Sequence, residues 1–270
     1  MLRLDGKTAL VTGIGSPADG LGNGKAIAML LARQGAQVMG IDRDATAAEA
    51  TVQAIRAEGG ACQFAVGDIT DEMVVENWVA SCHEQQGKID ILVNNVGASE
   101  PGGPLEMPPA VWQAQLELNL TSAYLMTRAV IPHMKQAGGG AIVSIASVAG
   151  QRYIGKPQIA YSTAKAALLQ FSRATAIIHA RDGIRLNCVV PGLMHTPLVT
   201  RLAAKYAGGD EAGFIAERNE AVPLGKMGDA MDVAHAVLFL VADEAKHVTA
   251  TELVVDGGLT AATRGTIPQP

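Results

Sequence analysis

Short apolar runs alternate with longer, alanine-rich amphipathic stretches along most of the chain. The apolar runs predict strands at residues 8–12, 37–41, 63–66, 89–94, 141–145, 184–190 and 252–255. Helical patterns fill the gaps at about 24–34, 46–58, 71–86, 109–136, 160–181 and 229–241. Continuous apolar runs indicate strands that are buried on both faces, and their alternation with helices is typical of βαβ units. The pattern therefore predicts an α/β, doubly wound fold with one seven-stranded parallel sheet flanked by helices.

The stretch 193–228 interrupts this alternation. It contains Pro197, Gly208, Gly209 and Pro223, and it is too long for an ordinary connection. We expect it to be a substrate lid, because long internal segments of compact enzymes often close over a site. No linker divides the remainder, so residues 1–270 are expected to form a single domain.

Composition narrows the class of protein. Hydrophobic residues make up 49% of the 270 residues, only 4% are aromatic, and 30 are glycine, which fits a closely packed α/β core. A net charge of −5 without a Lys/Arg run disfavours nucleic acid as a partner. Three unpaired cysteines and six scattered histidines indicate neither disulfides nor a metal site. No segment approaches the roughly 18 apolar residues of a membrane helix, so we expect a cytoplasmic protein without membrane contact.

A glycine-rich loop follows the first predicted strand. Glycines stand at positions 13, 15, 20, 22 and 24, directly before a helical pattern. Glycine allows backbone amides and a helix N-terminus to approach a pyrophosphate closely. Two registers are open: the phosphate amides belong to Gly13 with Gly22-Asn23-Gly24, or to Gly20-Leu21-Gly22. Either register predicts a dinucleotide site.

Polar residues also follow the next strands. Asp42 ends the second strand, 29 residues after Gly13, and Asp68 and Asn95 follow the third and fourth. A carboxylate at the position of Asp42 accepts hydrogen bonds from ribose hydroxyls and repels a 2′-phosphate. The cofactor is therefore predicted to be NAD, although Arg43 beside it leaves NADP as the less favoured alternative.

Tyr161 and Lys165 stand four residues apart in a predicted helix, so their side chains project from the same face. Taken alone, such a pair is most often a surface contact. A nearby ammonium, however, favours the phenolate and lowers the pKa of a phenol, which allows the phenol to exchange protons with a substrate hydroxyl. Ser147, fourteen residues upstream, adds a hydroxyl that can converge on the same substrate oxygen.

These motifs together resemble the short-chain dehydrogenase/reductase family over essentially the full chain. The match includes Thr12-Gly13, Asp68, Asn94-Asn95-Val96-Gly97, Asn119, Ser147, Tyr161-x3-Lys165, Asn187, Pro191-Gly192, Thr196 and Val255-Asp256-Gly257-Gly258. The resemblance implies a Rossmann-like domain with a catalytic set of Asn119, Ser147, Tyr161 and Lys165. In it Tyr161 is the acid/base, Lys165 lowers its pKa and holds the nicotinamide ribose, Ser147 bonds the substrate oxygen, and Asn119 holds a water. The implied cofactor residues are Gly13, Ser16, Gly22, Asn23, Asp42, Arg43, Asp68, Ile69, Asn95, Val96, Gly97, Tyr161, Lys165, Pro191, Gly192, Met194 and Thr196.

The chain departs from the family pattern in two places. Eight residues separate Gly13 from Gly22, five more than usual, which is similar to the longer loop of the enoyl-reductase branch. That branch has a Tyr-x6-Lys spacing, whereas Tyr161 and Lys165 have the x3 spacing. Ser147 also precedes Tyr161 by fourteen residues where thirteen is common.

Substrate residues are the least defined by sequence. Ser99, Arg152, Tyr153 and His195 are candidates, and Arg152 could pair with a substrate carboxylate. The main hypothesis is NAD-dependent oxidation of a secondary alcohol (cyclic, aryl-alkyl or hydroxyacyl) to a ketone. The alternatives are a 3-oxoacyl-thioester reductase, acting on acyl carrier protein or CoA thioesters with NADPH, and an inert NAD-binding scaffold. By the resemblance, a homotetramer is expected, with a dimer as the alternative.

Overall fold

A computed structural model of the chain describes residues 2–16 and 20–263. Residues 1, 17–19 and 264–270, which fall within the predicted domain and in part within the extended glycine loop, lie outside the described residues. The strands are β1 Thr8–Thr12, β2 Gln37–Asp42, β3 Ala61–Val66, β4 Ile91–Asn94, β5 Gly140–Ile145, β6 Ile184–Pro191, β7 Met194–His195, β8 Gly228–Asp229 and β9 Glu252–Val255. The helices are α1 Asn23–Arg33, α2 Ala45–Ala57, α3 Glu72–Gln86, α4 Pro109–Leu116, α5 Ser122–Gln136, α6 Ile159–Ile178, α7 Leu198–Tyr206, α8 Glu211–Glu220 and α9 Ala230–Val241.

Seven parallel strands form one sheet in the order β3-β2-β1-β4-β5-β6-β9. The chain winds outward in both directions from β1 and β4, and this arrangement creates a crevice at the carboxyl ends of those two strands. The predicted α/β doubly wound fold with seven parallel strands is therefore confirmed.

The sheet is buried on both faces because successive side chains of a strand point to opposite sides. In β1, Val11 packs with the apolar faces of α1, α2 and α9, whereas Leu10 packs with those of α3 and α5. Each face has its own cluster of aliphatic side chains. This explains why the strands are continuous apolar runs rather than alternating ones.

The predicted helix at 109–136 is interrupted in the structure. Helix α4 ends at Leu116, a π-helical turn covers Glu117–Thr121, and α5 begins at Ser122. The turn carries the buried Asn119, whose side chain binds local backbone groups. The sequence pattern predicted one uninterrupted helix over this range and did not include the π turn.

The stretch 193–228 contains two helices, α7 and α8. Its ends are held together by the short parallel pair β7 and β8, in which Met194 is opposite Gly228. Inside it, Val199, Ala203 and Phe214 form a small apolar cluster of their own. The segment is thus a helical unit attached at its base, and its predicted role as a lid stays a prediction.

Candidate active site

A cleft of about 480 Å³ lies at the carboxyl ends of the central strands. Its volume is in the usual range for ligand sites. Residues predicted as cofactor-binding or catalytic line it: Gly13, Gly22, Asn23, Asp42, Arg43, Asp68, Ile69, Asn95, Val96, Gly97, Ser147, Tyr161, Lys165, Pro191, Gly192, Met194 and Thr196. Ser16 and Asn119 do not line it and lie behind its wall.

The glycine loop forms one end of the cleft. Gly13 adopts a left-handed conformation with φ of 68°, and an added Cβ at Gly24 would lie 1.8 Å from the Gly13 carbonyl oxygen. Helix α1 begins at Asn23, with Gly22 as its N-cap. The buried Ser16 hydroxyl accepts a hydrogen bond of 3.0 Å from the Gly22 amide. Ser16 therefore supports the loop instead of contributing to the cleft surface.

The competing loop register involves Gly20. An added Cβ at Gly20 would lie 2.0 Å from Cγ of Pro197, so Gly20 is packed against the start of the 193–228 segment. Gly20 does not line the cleft, whereas Gly13, Gly22 and Gly24 do. The geometry favours the register that uses Gly13 with Gly22-Asn23-Gly24.

The glycine end fits a dinucleotide pyrophosphate. Any side chain on Gly24 would fill the space between the loop and the helix, and the N-terminus of α1 opens onto the cleft with its partial positive charge. The Asn23 Oδ1 atom is buried and has no hydrogen-bond partner among the described residues. Such an acceptor is suited to a donor on a bound ligand.

Asp42 and Asp68 line the cleft beside the glycine loop, where β2 and β3 end. Asp42 Oδ2 accepts a 2.8 Å hydrogen bond from the Gly15 amide. Arg43 Nη1 lies 3.5 Å from Asp68 Oδ2, so Arg43 is paired with the neighbouring acid. Burial alone would raise the pKa of Asp68, but hydrogen bonds from Thr70 and the charge of Arg43 outweigh it, and its pKa is lowered. The carboxylate at this position is therefore ionised at neutral pH.

Asn95 joins the ends of β1 and β4. Its amide N–H donates to Thr12 Oγ1 at 3.0 Å, and its side-chain Nδ2 donates to the carbonyl oxygens of Thr12 and Gly13 at 3.1 and 3.0 Å. These bonds fix the glycine turn relative to the neighbouring strand end. Val96 and Gly97, which follow, form the floor of the cleft.

Ser147 and Tyr161 meet on the same wall of the cleft. Ser147 follows β5 and caps a short 3-10 turn at Val148–Gly150, with its Oγ accepting from the Ala149 amide at 3.2 Å. Tyr161 lies in the first turn of α6, and the Ser147 side chain is close enough to act on the pKa of its phenol. Burial raises the pKa of the Tyr161 phenol, and Ser147 offsets part of the rise. The effect of Lys165 on this pKa, which the resemblance implied, stays a prediction.

Lys165 lies behind the phenol. It is 2% exposed, its Nζ donates to the Ile145 carbonyl oxygen at 2.8 Å, and Nζ lies 5.7 Å from the centroid of the Tyr161 ring. Burial lowers the pKa of Lys165 to about 8. An added Cβ on Gly97 would lie 2.9 Å from Nζ, so a larger residue here would require the lysine to shift.

Asn119 holds the backbone beside this wall. Its Nδ2 donates to the carbonyl oxygens of Ala98 and Gln115, both at 2.9 Å, and its Oδ1 accepts from the Ala98 amide at 3.2 Å. The side-chain donors are thus used within the protein. Its predicted water-holding role stays a prediction, and it would depend on other atoms of this residue.

None of the four predicted substrate residues lines the cleft. Ser99 is half-buried, while Arg152, Tyr153 and His195 are exposed. The wall next to the 193–228 segment is formed instead by Pro197, Leu198, Val199, Arg201, Leu202 and Arg218. Sequence reasoning missed Arg201 and Arg218. Their position inside the predicted lid was the one feature that could have pointed to them, and it does not indicate which side chains face the cleft.

Two searches of the described residues bear on other classes of site. No group of three or more His, Cys, Asp or Glu side chains among them could hold a metal ion. Within residues 2–16 and 20–263, no helix is long and apolar enough to cross a membrane.

A dinucleotide crevice with a Ser-Tyr-Lys set on its wall is typical of nicotinamide-dependent oxidoreductases. The chain belongs to the short-chain dehydrogenase/reductase family: a family model described as enoyl-(acyl carrier protein) reductase matches residues 18–260. A solved structure assigned to this family, from Burkholderia xenovorans, is 49% identical, with a TM-score of 0.94 over 97% of this chain and 99% of that one.

Curated relatives are similar over nearly their whole length. A (2S)-[(R)-hydroxy(phenyl)methyl]succinyl-CoA dehydrogenase subunit from Thauera aromatica is 38% identical over 94% of this chain and 97% of its own. A 2,5-dichloro-2,5-cyclohexadiene-1,4-diol dehydrogenase from Sphingobium indicum is 34% identical over 95% of this chain and 97% of its own. The chain is therefore an oxidoreductase of this family.

Proposed function

We propose that this oxidoreductase uses NAD to oxidise a secondary alcohol to the ketone, with Tyr161 as the acid/base. The observation that carries the proposal is that Ser147 and Tyr161 line one cleft, with the buried Lys165 beside the phenol ring and the glycine loop in the same cleft. This set supports proton transfer to and from an oxygen held between the two hydroxyls.

Each residue has a defined part in the proposed reaction. When bound, the nicotinamide supplies the hydride acceptor. Ser147 and Tyr161 bind the alcohol oxygen, which aligns the carbinol carbon, and the phenolate form of Tyr161 takes the hydroxyl proton. While Lys165 holds its proton, below a pKa of about 8, its charge stabilises that phenolate. Burial raises the pKa of the phenol, so the phenolate is the minor form near neutral pH and increases as the pH rises. We therefore expect alcohol oxidation to accelerate toward alkaline pH.

The charged residues Asp42, Arg43 and Asp68 support NAD over NADP. Asp42 lines the cleft where the adenosine ribose would bind, and the 2′-phosphate of NADP would face its negative charge there. Arg43, the side chain that could favour NADP, is paired with Asp68. The two relatives named above are dehydrogenases of compounds with hydroxyl groups, which supports an alcohol as the substrate class.

The test is a steady-state comparison of NAD and NADP with cyclic, aryl-alkyl and hydroxyacyl alcohols. We expect NAD-linked oxidation to be the faster reaction, and Tyr161→Phe to lower kcat by at least about a hundredfold. Ser162→Ala, a change of the adjacent residue, is the matched control. Faster reduction of acetoacetyl thioester with NADPH than any NAD-linked oxidation would overturn the proposal, as would full activity in Tyr161→Phe.

Assembly and location remain predictions. Exposed apolar side chains at the end of α6 and on β9, namely Ile177, Ile178 and Val254, support association of copies of the chain. We expect a homotetramer, and light scattering of the purified protein checks it. A cytoplasmic location and a single domain over 1–270 are likewise expected.

A further inference from the structure

Arg218 is a half-buried cation on the wall of the active-site cleft. It lies in α8, inside the 193–228 segment, and lines the same cleft as Ser147 and Tyr161. Its Cζ lies 5.2 Å from the centroid of the buried Phe214 ring, and its Nε donates to Met227 Sδ at 3.3 Å. A ring and a thioether orient the guanidinium without neutralising it.

The charge of Arg218 is not balanced by an ion pair. Among the described residues, no carboxylate lies within ion-pairing distance of its guanidinium, and Glu217 acts on it through charge alone. Buried or half-buried arginines are normally paired with an acid. Burial lowers the pKa of Arg218, which shows that the site already carries a desolvation penalty.

A second cation adjoins the first. Lys156 Nζ lies 5.0 Å from the centroid of the same Phe214 ring. Burial lowers the pKa of the Lys156 amine, and the nearby charge of Arg218 lowers it further, while Glu217 partly opposes this. Two like charges held around one ring repel each other, so an anion bound to Arg218 from the cleft would weaken this repulsion.

We propose that Arg218 binds a carboxylate of the substrate, so that the enzyme acts on secondary alcohols that carry a carboxylate. The guanidinium has a planar fork that matches a carboxylate with two parallel hydrogen bonds. The cofactor phosphates are expected at the glycine loop, which is a separate part of the cleft. The cations of the 193–228 segment are therefore available to bind the substrate. This inference rests on the proposed alcohol dehydrogenase function and deepens it.

For the binding of a substrate carboxylate, the structure favours Arg218 over Arg152, the residue that the sequence suggested. Arg152, the predicted partner of a substrate carboxylate, is exposed and does not line the cleft, and its charge acts on Asp256 instead. Arg218 lines the cleft, and Glu217, the acid whose charge acts on it, forms no ion pair with it among the described residues.

The test compares two acids with their neutral amides: mandelate with mandelamide, and β-hydroxybutyrate with β-hydroxybutyramide. We expect the wild type to oxidise at least one acid with a higher kcat/KM than its amide. Arg218→Gln should lower kcat/KM for the acid by about tenfold or more, mainly through KM. It should change kcat/KM for the amide by less than about twofold. For the acid, the kcat/KM of Arg218→Lys, which keeps the charge, should lie between those of the wild type and Arg218→Gln. Arg181→Gln, at an exposed arginine outside the cleft, is the matched control and should behave as wild type.

Cofactor phosphate is the competing source of the anion, and the KM for NAD separates the two. An increase of that KM in Arg218→Gln, with the acid-to-amide ratio unchanged, would assign Arg218 to the cofactor and overturn the inference. Oxidation of neutral alcohols without any preference for an acid would also overturn it, while the proposed function would stand.

If no alcohol is oxidised, the proposed function fails, and calorimetry decides the inference independently. Benzoate and benzamide are then titrated into wild type and Arg218→Gln in the presence of NAD. Tighter binding of benzoate that Arg218→Gln removes supports the carboxylate site. Equal binding of the two probes, or binding that the variant does not change, refutes it.

Discussion

The buried ammonium of Lys165 should destabilise the fold in a way that depends on pH. Lys165 is 2% exposed, and burial lowers its pKa from 10.5 to about 8. Each pKa unit corresponds to about 1.4 kcal/mol, so the charged form is disfavoured in the native state by about 3 kcal/mol. We predict that this penalty can be removed by Lys165→Met, which has a similar length and no charge.

The sign follows from proton linkage. Below pH 8 both native and unfolded chains hold the proton on Lys165, and the native state carries the full penalty. Between pH 8 and 10.5 the native lysine has lost its proton while the unfolded one keeps it, so the unfolded state binds more protons. The free energy of unfolding of the wild type therefore rises with pH across this window, by up to about 3 kcal/mol relative to the variant.

The variant also loses an interaction. Without the lysine, the Ile145 carbonyl oxygen loses the donor that lies 2.8 Å away, which costs about 1–3 kcal/mol for a buried acceptor. At pH 7 the two effects largely offset each other, and Lys165→Met should be as stable as the wild type or up to about 2 kcal/mol more stable. It should at the same time be inactive in the proposed reaction.

Urea unfolding of the cofactor-free protein from pH 7 to 10.5, at one fixed protomer concentration, measures the effect. The difference in unfolding free energy between wild type and Lys165→Met should change by about 3 kcal/mol across this range. Lys246→Met, at an exposed lysine, is the control and should give a constant difference. A difference for Lys165→Met that is also constant with pH would refute the assigned burial cost.

Three further outcomes are expected. Asp42→Ala should lower kcat/KM for NAD about tenfold or more by removing a charged acceptor, and NAD selectivity that is unchanged would contradict this. Ser147→Ala should move the alkaline rise of the kcat/KM profile to higher pH, because the Ser147 side chain lowers the pKa of Tyr161; an unshifted profile with lowered rate would argue against it. Gly24→Ala, whose Cβ would lie 1.8 Å from a loop carbonyl, should lower the Tm and weaken NAD binding, whereas Gly22→Ala, with its nearest contact at 3.2 Å, should do so much less. Equal effects of the two alanines, measured by thermal melts and NAD titration, would contradict the loop register.

Strand and helix content could be predicted because each element carries its own local signal. The run at Thr8–Thr12 is apolar throughout and is buried on both faces, as its composition indicates. The π turn around Asn119 was not predicted; there the Asn119 side chain bonds to Gln115 in the preceding turn and to Ala98, which is distant in sequence. The predicted bounds of this helical stretch, 109–136, are those of the structure.

The acid/base set shows a similar division. The spacing of Tyr161 and Lys165 placed both side chains on one face of α6, as expected. That spacing carries no information on burial, which raises the pKa of the phenol in the structure. The desolvation of Tyr161 depends on the segments that close around it.

The alternation of apolar runs and helices in the sequence determined the parallel sheet, and with it the edge at which the glycine loop, Asp42, Asp68 and Asn95 meet. These follow from local chemistry, since strand ends of a parallel sheet share one side. Only the tertiary structure decided what faces the cleft from the 193–228 segment and how far each charge is buried. Arg218 and Lys156 come together around Phe214 across more than fifty residues of chain. Their meeting depends on how α8 packs against the segment before α6, and no local pattern in the chain specifies that packing.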